Sequence, residues 1–279
     1  MTPARRQLKA RLDALVASHD AAAHRERDPV SFVHRFDSDA DREVVGLLAA
    51  SLAFGNVTAI RASVGRALDA LGSSPARTIE REDRASLERR LEGFVHRVYR
   101  GRHVAAMLAA AGAIRRREGS LGEALRRRLE HHGALREALG ELAAELRGDS
   151  PERGLAHLVP DPAAGSACKR LLLYARWMVR PADGVDLGLW PIPPSALVIP
   201  VDTHVHRIAQ NLGLTARRDA SWRTAEEITA ALRRFDPDDP VKYDFAICHL
   251  GVSRQCPSRR DEAKCGACVL RASCVHWRA

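Results

Sequence analysis

Four of the six cysteines crowd into one C-terminal segment, CPSRRDEAKCGACVLRASC. They are Cys256, Cys265, Cys268 and Cys274, with eight, two and five residues between successive members. Four thiolates this close in sequence are a typical ligand set for a metal. The Cys-x2-Cys step lets two of them reach one centre from a tight turn, which Gly266 favours. The segment therefore predicts a metal site over residues 256–274.

Zinc and a [4Fe–4S] cluster both accept four thiolates. Structural zinc sites usually pair two short knuckles, whereas this segment has one short knuckle between longer spacers. The spacing alone therefore favours an iron–sulfur cluster over zinc. The other two cysteines, Cys168 and Cys248, lie in apolar helical contexts. They are predicted to be small buried side chains rather than ligands.

Lysine is rare in this chain. Of the 44 basic residues only four are lysines, namely Lys9, Lys169, Lys242 and Lys264. Arginine stays protonated, whereas a desolvated lysine can lose its proton and act as a nucleophile. Lys169, near the start of SACKRLLLYARWMVR, is a candidate for that chemistry. The alternative is a plain surface cation on a helix.

An aspartate stands at the start of a helical run in IPVDTHVHRIAQNLGL, residues 199–214. Asp202 is well placed to cap that helix, because an aspartate carboxylate accepts hydrogen bonds from first-turn amides. A carboxylate can also stabilise positive charge that develops on a substrate and help to move protons. His204 and His206 are expected to pack or cap. The sequence leaves both roles open for Asp202.

Helices must position these residues, because apolar side chains recur at helical spacing through most of the chain and several segments close on glycine. Helices are predicted over 41–54, 57–72, 101–119, 120–133, 134–148, 166–180 and 224–235. Ser166 is the predicted N-cap of the helix that carries Lys169, which must end before Pro181. No sustained period-2 alternation occurs, so no sheet is expected. Five prolines make residues 180–202 an ordered connector between two helical units.

The charge balance suggests a polyanionic partner. The net charge is +9, and residues 81–140 hold 14 arginines against 8 acidic residues. Such an excess most often accompanies nucleic-acid binding. No apolar run is long enough to span a membrane, and the first residues lack the apolar stretch of a signal peptide. A cytoplasmic protein without a membrane partner is expected.

The segments IPVDTHVHRIAQNLGL and FAICHLGVSRQC and the four-cysteine tail resemble endonuclease III-like DNA glycosylases of the helix–hairpin–helix superfamily. In that superfamily a Val-Asp-Thr-His segment carries the catalytic aspartate. The resemblance covers about residues 160–279, and residues 41–72 only as a helix–loop–helix. The first cysteine spacer is longer than in endonuclease III, and VPDPAAGSACKR replaces the usual Leu-Pro-Gly-Val-Gly hairpin. The long gap between lysine and aspartate resembles the archaeal 8-oxoguanine DNA glycosylase branch. The whole chain also looks like an uncharacterised bacterial family with SACKR…WMVR and DPVKYDFA.

This resemblance implies a DNA glycosylase with AP-lyase activity in base excision repair. Lys169 would be the nucleophile that forms a Schiff base, Asp202 its carboxylate partner, and the four tail cysteines the ligands of a [4Fe–4S] cluster. The implied substrate is oxidised guanine (8-oxoguanine) in double-stranded DNA, and the implied protein is a nucleoid-associated monomer. The alternative is a catalytically silent DNA-binding protein, or a redox-sensing iron–sulfur protein, of the same fold.

The implied fold is all-α, with two helical subdomains and a cleft between them. Residues 1–40 and 196–279 would form one subdomain with the cluster loop at 256–274. Residues 41–195 would form the other, with the hairpin and the catalytic lysine.

Further residues are candidates for contacts with DNA or with an extruded base. Gly165 and Ser166 belong to the candidate hairpin PDPAAGSA, whose amides would bind phosphate. Asn56 is a candidate for filling the gap left by a flipped base, or is a turn residue. Trp177 is a candidate for stacking on that base, or is a core residue. His204 is the last candidate.

Overall fold

The computed structural model describes residues 2–148, 152–254 and 256–277, and most of these residues are helical. The α-helices are α1 (Pro3–Ser18), α2 (Ala21–Arg25), α3 (Asp39–Ser51), α4 (Val57–Leu71), α5 (Pro75–Arg81), α6 (Arg84–Arg90), α7 (Gly101–Glu118), α8 (Leu121–His132), α9 (Leu135–Arg147), α10 (Arg153–Leu158), α11 (Lys169–Val179), α12 (Thr203–Asn211), α13 (Trp222–Arg233), α14 (Asp244–Arg254) and α15 (Glu262–Cys265). Short 3-10 turns cover Pro29–Arg35, Pro162–Ala164, Pro194–Ala196 and Arg271–Ser273. Two strands, β1 (Val95–His96) and β2 (Tyr99–Arg100), form an antiparallel ribbon.

The predicted all-α class is confirmed, and the glycine-closed helices end where the sequence indicates. Gly72, Gly119 and Gly133 follow α4, α7 and α8 with positive φ, a conformation that glycine adopts without strain. The expectation of no sheet was wrong, because β1 and β2 form one small ribbon. Each of its strands has only two residues, too short to give an alternating pattern, and Arg97 takes a positive φ in the turn.

Helix α11, which begins with Lys169, packs against helix α3, whose residues from Glu43 to Ser51 are all buried. Gly46 makes this close approach possible, because a Cβ there would lie 2.6 Å from the Met178 side chain. Buried Glu43 adds a polar anchor from α3. Its carboxylate accepts hydrogen bonds from Trp190 Nε1 at 2.8 Å and from Arg115, so the arginine run at 115–117 is partly interior.

The connector over residues 180–202 has no α-helix and folds back along α11. The Leu187 amide donates to the Trp177 carbonyl and the Trp190 amide to the Met178 carbonyl, both at 2.8 Å. At its far end the Ile199 amide donates to Thr229 Oγ1 at 3.0 Å. The ordered connector is confirmed. Its return path brings Asp202 back to the first residue of α11.

Helix α1 packs on the C-terminal part of the chain. Arg11 donates to the Val269 carbonyl at 3.0 Å, and the Tyr243 hydroxyl donates to Asp13 at 2.9 Å. The division into subdomains stays a prediction. Residues 1, 149–151, 255 and 278–279, which it includes, lie outside the described residues. None of the helices in the described part of the chain is long and apolar enough to cross a membrane.

Candidate active site at Lys169 and Asp202

Two helix starts meet at one point of the fold. Lys169 is the first residue of α11 and Asp202 is the N-cap of α12. The Lys169 Nζ atom lies 3.2 Å from Asp202 Oδ2, within charge-assisted hydrogen-bond distance. The lysine side chain is 36% exposed and the aspartate side chain 16%. The pair is therefore anchored in the protein but reachable from solvent.

The two carboxylate oxygens of Asp202 have different partners. Oδ1 accepts hydrogen bonds from the backbone amides of His204 and Val205, each at 2.8 Å, so the predicted helix cap is confirmed. Oδ2 faces the Lys169 amine and also lies 3.5 Å from Cys248 Sγ. Capping and contact with the amine are therefore compatible, because each uses one oxygen.

Electrostatics hold this pair as an ammonium and a carboxylate. Burial lowers the pKa of Lys169, but the charge of Asp202 outweighs it and the net shift is upward. Burial raises the pKa of Asp202, but Lys169 and the capping amide of Val205 outweigh it and the net shift is downward. Lys169 can act as a nucleophile only after it loses a proton. Asp202, which is hydrogen-bonded to the amine, can accept that proton.

An open pocket of about 620 Å³ lies beside Lys169. Its walls include the cations Arg147 and Arg170 and the rings of Phe54 and His157, which meet edge to face at 5.1 Å. Arg170 fixes this wall, since it donates to the Ser51 and His157 carbonyls and to the Tyr99 hydroxyl. The pocket volume is in the range of sites that hold small molecules or single nucleotides.

A second cavity of about 50 Å³ lies on the inner side of the pair. Three carboxylates line it, from Asp28, Asp202 and Asp244. Arg176 also lines this cavity. Its guanidinium forms ion pairs with Asp244, which lines the cavity, and with Asp186, which does not. Burial raises the pKa of Asp244 to about 6 although Arg176 opposes the shift. The interior behind Lys169 is therefore acidic and strongly desolvated.

Ser166 does not cap the helix that carries Lys169, so that prediction was wrong. Helix α11 begins at Lys169, and its N-cap is Cys168 in the left-handed region with φ of 47°. Ser166 is extended because it bridges to Ser221, and its hydroxyl accepts from the Cys168 amide at 3.2 Å. Ser166 does line the open pocket. Gly165 closes the preceding 3-10 turn with φ of 85° and does not line the pocket.

Trp177 is completely buried, so stacking on an extruded base is ruled out for this structure. It lies on the same helix face as Lys169, but that face runs inward to the small inner cavity. Asn56 caps α4, where its side-chain oxygen accepts from the Thr58 amide at 2.9 Å, which agrees with the turn interpretation. It is exposed and does not line the pocket.

His204 contributes its backbone amide to the Asp202 cap, and its ring nitrogen lies 3.1 Å from the Arg207 guanidinium. It packs closely on Gly251 and does not line the open pocket. The structure therefore agrees with packing and capping, and His204 is not brought into the pocket as a base-binding residue.

The four tail cysteines line one small apolar cavity, together with leucines at 212, 250 and 270. Asn211, the last residue of α12, donates to Cys256 Sγ at 3.4 Å and to the Pro257 carbonyl at 3.0 Å. A [4Fe–4S] cluster uses four thiolates as donors, and the four thiols share this apolar wall. Within residues 2–148, 152–254 and 256–277, no three histidine, cysteine or carboxylate side chains converge as ligands of one metal ion.

Sequence reasoning missed several residues near the pair. Cys168 is buried as predicted, but Cys248 is only half-buried and contacts Asp202, so its assignment as a plain packing residue was incomplete. Phe54 and His157 line the pocket with Arg170, and the buried Tyr99 hydroxyl is hydrogen-bonded to both His157 and Arg170 behind them. No sequence motif links them, because they come from separate elements that only the fold brings together.

The site thus combines a lysine amine, a capped carboxylate and a cationic pocket in a mostly helical protein. The chain belongs to the family described as Protein of unknown function (DUF2400), whose match covers residues 28–253. No curated protein matches the chain. The assignment to the helix–hairpin–helix DNA glycosylase superfamily was therefore wrong, because the matching family is one of unknown function. The Val-Asp-Thr-His segment that suggested it is also an ordinary helix start.

Proposed function

We propose that this protein is a DNA glycosylase with AP-lyase activity that acts through a Schiff base on Lys169. The observation that carries the proposal is the 3.2 Å contact between Lys169 Nζ and Asp202 Oδ2 at the edge of an open cationic pocket. An amine beside a carboxylate is the arrangement that nucleophilic attack on a sugar carbon needs. Support comes from the chemistry of the site and not from membership of a glycosylase family.

The reaction begins with proton transfer from the Lys169 ammonium to Asp202. The neutral amine then attacks C1′ of the damaged nucleotide, a C–N bond forms, and the bond from C1′ to the base breaks. The base leaves with its electron pair and takes up the proton that Asp202 received from Lys169, so Asp202 is again a carboxylate. The attached amine gives one proton to the ring oxygen, and the sugar ring opens to a protonated imine on Lys169. The negative charge of Asp202 stabilises this imine. The imine permits transfer of a C2′ proton to the Asp202 carboxylate and elimination of the 3′ phosphate.

The proposed substrate is double-stranded DNA that contains a damaged base. An enzyme that attacks C1′ must extrude the nucleotide from the duplex, and the pocket of about 620 Å³ has room for a purine. Arg147 and Arg170 on the pocket wall and the net charge of +9 favour a phosphate-rich partner. We propose 8-oxoguanine as the base that is removed.

We propose that Cys256, Cys265, Cys268 and Cys274 hold a [4Fe–4S] cluster, which would tie the tail together. Asn211 supports this role, since it donates to Cys256 Sγ from the end of the helix that Asp202 caps. The apolar cavity wall would shield the cluster from solvent, and solvent exposure is one of the factors that set a cluster's reduction potential. Zinc on the same thiols is the alternative.

A catalytically silent DNA-binding or redox-sensing protein is the second candidate. One observation favours it: Asp202 raises the pKa of Lys169, as expected for an ion pair that only stabilises the fold. In that case the basic surface would bind DNA, and no covalent intermediate would form.

A cleavage panel separates the two candidates. Duplexes with 8-oxoguanine, other damaged bases or an abasic site are incubated with the protein and with Lys169→Gln. We expect strand cleavage of the 8-oxoguanine duplex by the native protein and loss of cleavage in the variant. Tight binding of every duplex without cleavage of any of them would favour the silent protein.

A further inference from the structure

Asp202 Oδ2 has two side-chain partners. Lys169 Nζ lies 3.2 Å away, and Cys248 Sγ from helix α14 lies 3.5 Å away on the inner side. The other oxygen, Oδ1, is held by the amides of His204 and Val205. Lys169 belongs to α11, and the two amides belong to α12, the helix that Asp202 caps. Cys248 comes from a third element, α14.

We propose that Cys248 is a positioning residue of the Lys169–Asp202 site, whose S–H donates to Asp202 Oδ2 and holds that oxygen toward the lysine amine. This inference rests on the proposed function, because it assigns a part to Cys248 in the same proton transfer. The thiol acts only through Asp202, since Cys248 lines the inner cavity and not the open pocket.

The surroundings of Cys248 keep its proton on sulfur. Burial raises its pKa well above the ordinary value, and the carboxylates of Asp202 and Asp244 add to the shift. Lys169 opposes it. The thiol therefore keeps its hydrogen at neutral pH and can donate a hydrogen bond. An ionised carboxylate oxygen can only accept one.

The charged and titratable groups around Asp202 come from several elements. They are Lys169 and Arg176 on α11, Asp28 before the first 3-10 turn, His204 on α12, and Asp244, Cys248 and His249 on α14. The Cys248 thiol on α14 lies at hydrogen-bond distance from Asp202. Removing it takes one donor from the carboxylate and leaves the others in place.

The consequence concerns when Asp202 can take the proton of Lys169. A donor on Oδ2 stabilises the charged carboxylate, so loss of the thiol raises the pH at which Asp202 becomes protonated. If Cys248 only filled space, alanine and serine in its place would act alike on the pH dependence. If it is a donor, the serine hydroxyl replaces it and alanine does not.

The test compares Cys248→Ala, Cys248→Ser and the control Val252→Ala, an exposed position on the same helix. The rate of borohydride trapping on an 8-oxoguanine duplex is measured against pH. We expect the acid limb of Cys248→Ala to move up by about half a pH unit, the worth of one weak hydrogen bond. Cys248→Ser and Val252→Ala should keep the native limb. Identical limbs in the alanine and serine variants would overturn the proposal.

A second readout does not depend on activity. The carboxyl group of Asp202 is titrated by carbon-13 NMR in the native protein and the same variants. We expect its midpoint to rise in Cys248→Ala and to stay near the native value in Cys248→Ser. If the native protein forms no adduct, the proposed function fails while this titration still decides the part played by Cys248. An unchanged midpoint in Cys248→Ala would contradict it.

Discussion

Lys169 and Asp202 are 33 residues apart in the chain, yet their side chains meet at 3.2 Å. The connector achieves this by running back along α11, with Leu187 and Trp190 bonded to successive carbonyls near the end of that helix. The site is therefore built from the first residue of one helix and the cap of another. Its geometry depends on the connector as much as on the two residues.

Changing Asp202 to asparagine should separate capping from chemistry. Asparagine is as good an N-cap as aspartate but carries no charge. We expect native helix content and a fall in the trapping rate of about a hundredfold or more, in line with the loss of a general acid–base group. Circular dichroism and borohydride trapping measure the two effects. Unchanged trapping in Asp202→Asn would show that the carboxylate only caps.

Asp202→Ala is the companion variant, because it removes both the charge and the cap. We expect it to unfold more easily than Asp202→Asn by about 1 kcal/mol, the usual contribution of an N-cap side chain. Denaturant unfolding measures the difference. Equal stability of the two variants would mean that the bonds to His204 and Val205 contribute nothing.

The ion pair should also appear in the pH dependence of stability. The folded-state pKa of Asp202 lies below its ordinary value of 3.8, so its charge stabilises the fold above that pH. The stabilisation is lost as the pH falls through the folded-state value. Between native protein and Asp202→Asn we expect a difference of about 1 kcal/mol at pH 7, since Lys169 is partly exposed.

That difference should shrink as the solution is acidified below pH 3.8. Groups that both proteins share largely cancel in the comparison, which isolates the pair. Urea unfolding at a series of pH values measures it. A difference that stays constant or grows on acidification would contradict the ion pair.

DNA affinity should depend on arginines at the pocket and not on arginines paired elsewhere. Arg147 lines the pocket, where it lies 3.7 Å from Asp161 and donates to the Val159 carbonyl. Arg126 on α8 does not line the pocket and is paired with Glu123 and Glu130. We expect Arg147→Gln to reduce the slope of log affinity against log salt by about 1, the effect of one lost phosphate contact. Arg126→Gln is the control and should keep the native slope. The same slope in both variants would argue against phosphate contacts at the pocket.

The cysteine tail gives a prediction that is independent of catalysis. Protein purified without oxygen should be yellow-brown and contain iron, and Cys268→Ala should lose most of it. Cys168→Ala, at a cysteine outside the tail, should keep its iron. Metal analysis and the visible absorption spectrum measure both. Zinc without iron in the native protein would contradict the cluster.

Much of the local structure follows from the sequence, because capping and glycine signals act over a few residues. Asp202 was predicted as a cap and is one, and α4, α7 and α8 end at the predicted glycines. The start of α11 was mispredicted, since Ser166 is held extended by its bridge to Ser221. That contact comes from a distant part of the chain, which local propensity does not describe.

The pairing of Lys169 with Asp202 was expected only because the sequence resembles the helix–hairpin–helix DNA glycosylases. The assignment to that superfamily was wrong. The surrounding residues could not be predicted at all. Cys248 resembles an ordinary core residue in a helix, and its contact with Asp202 depends on how α14 packs against α12. Trp177 shows another limit of the sequence. It follows Lys169 by eight residues and shares its helix face, but this spacing does not tell on which side of the site that face lies.

The most direct measurement is peptide mass spectrometry of the adduct trapped by borohydride on an 8-oxoguanine duplex. Reduction of the imine fixes the sugar to the amine that attacked C1′, so the modified residue is the nucleophile. We expect one modified peptide, with the sugar on Lys169. No adduct, or an adduct on another amine such as Lys9, Lys242 or the N-terminus, would contradict the assignment of Lys169 as the nucleophile.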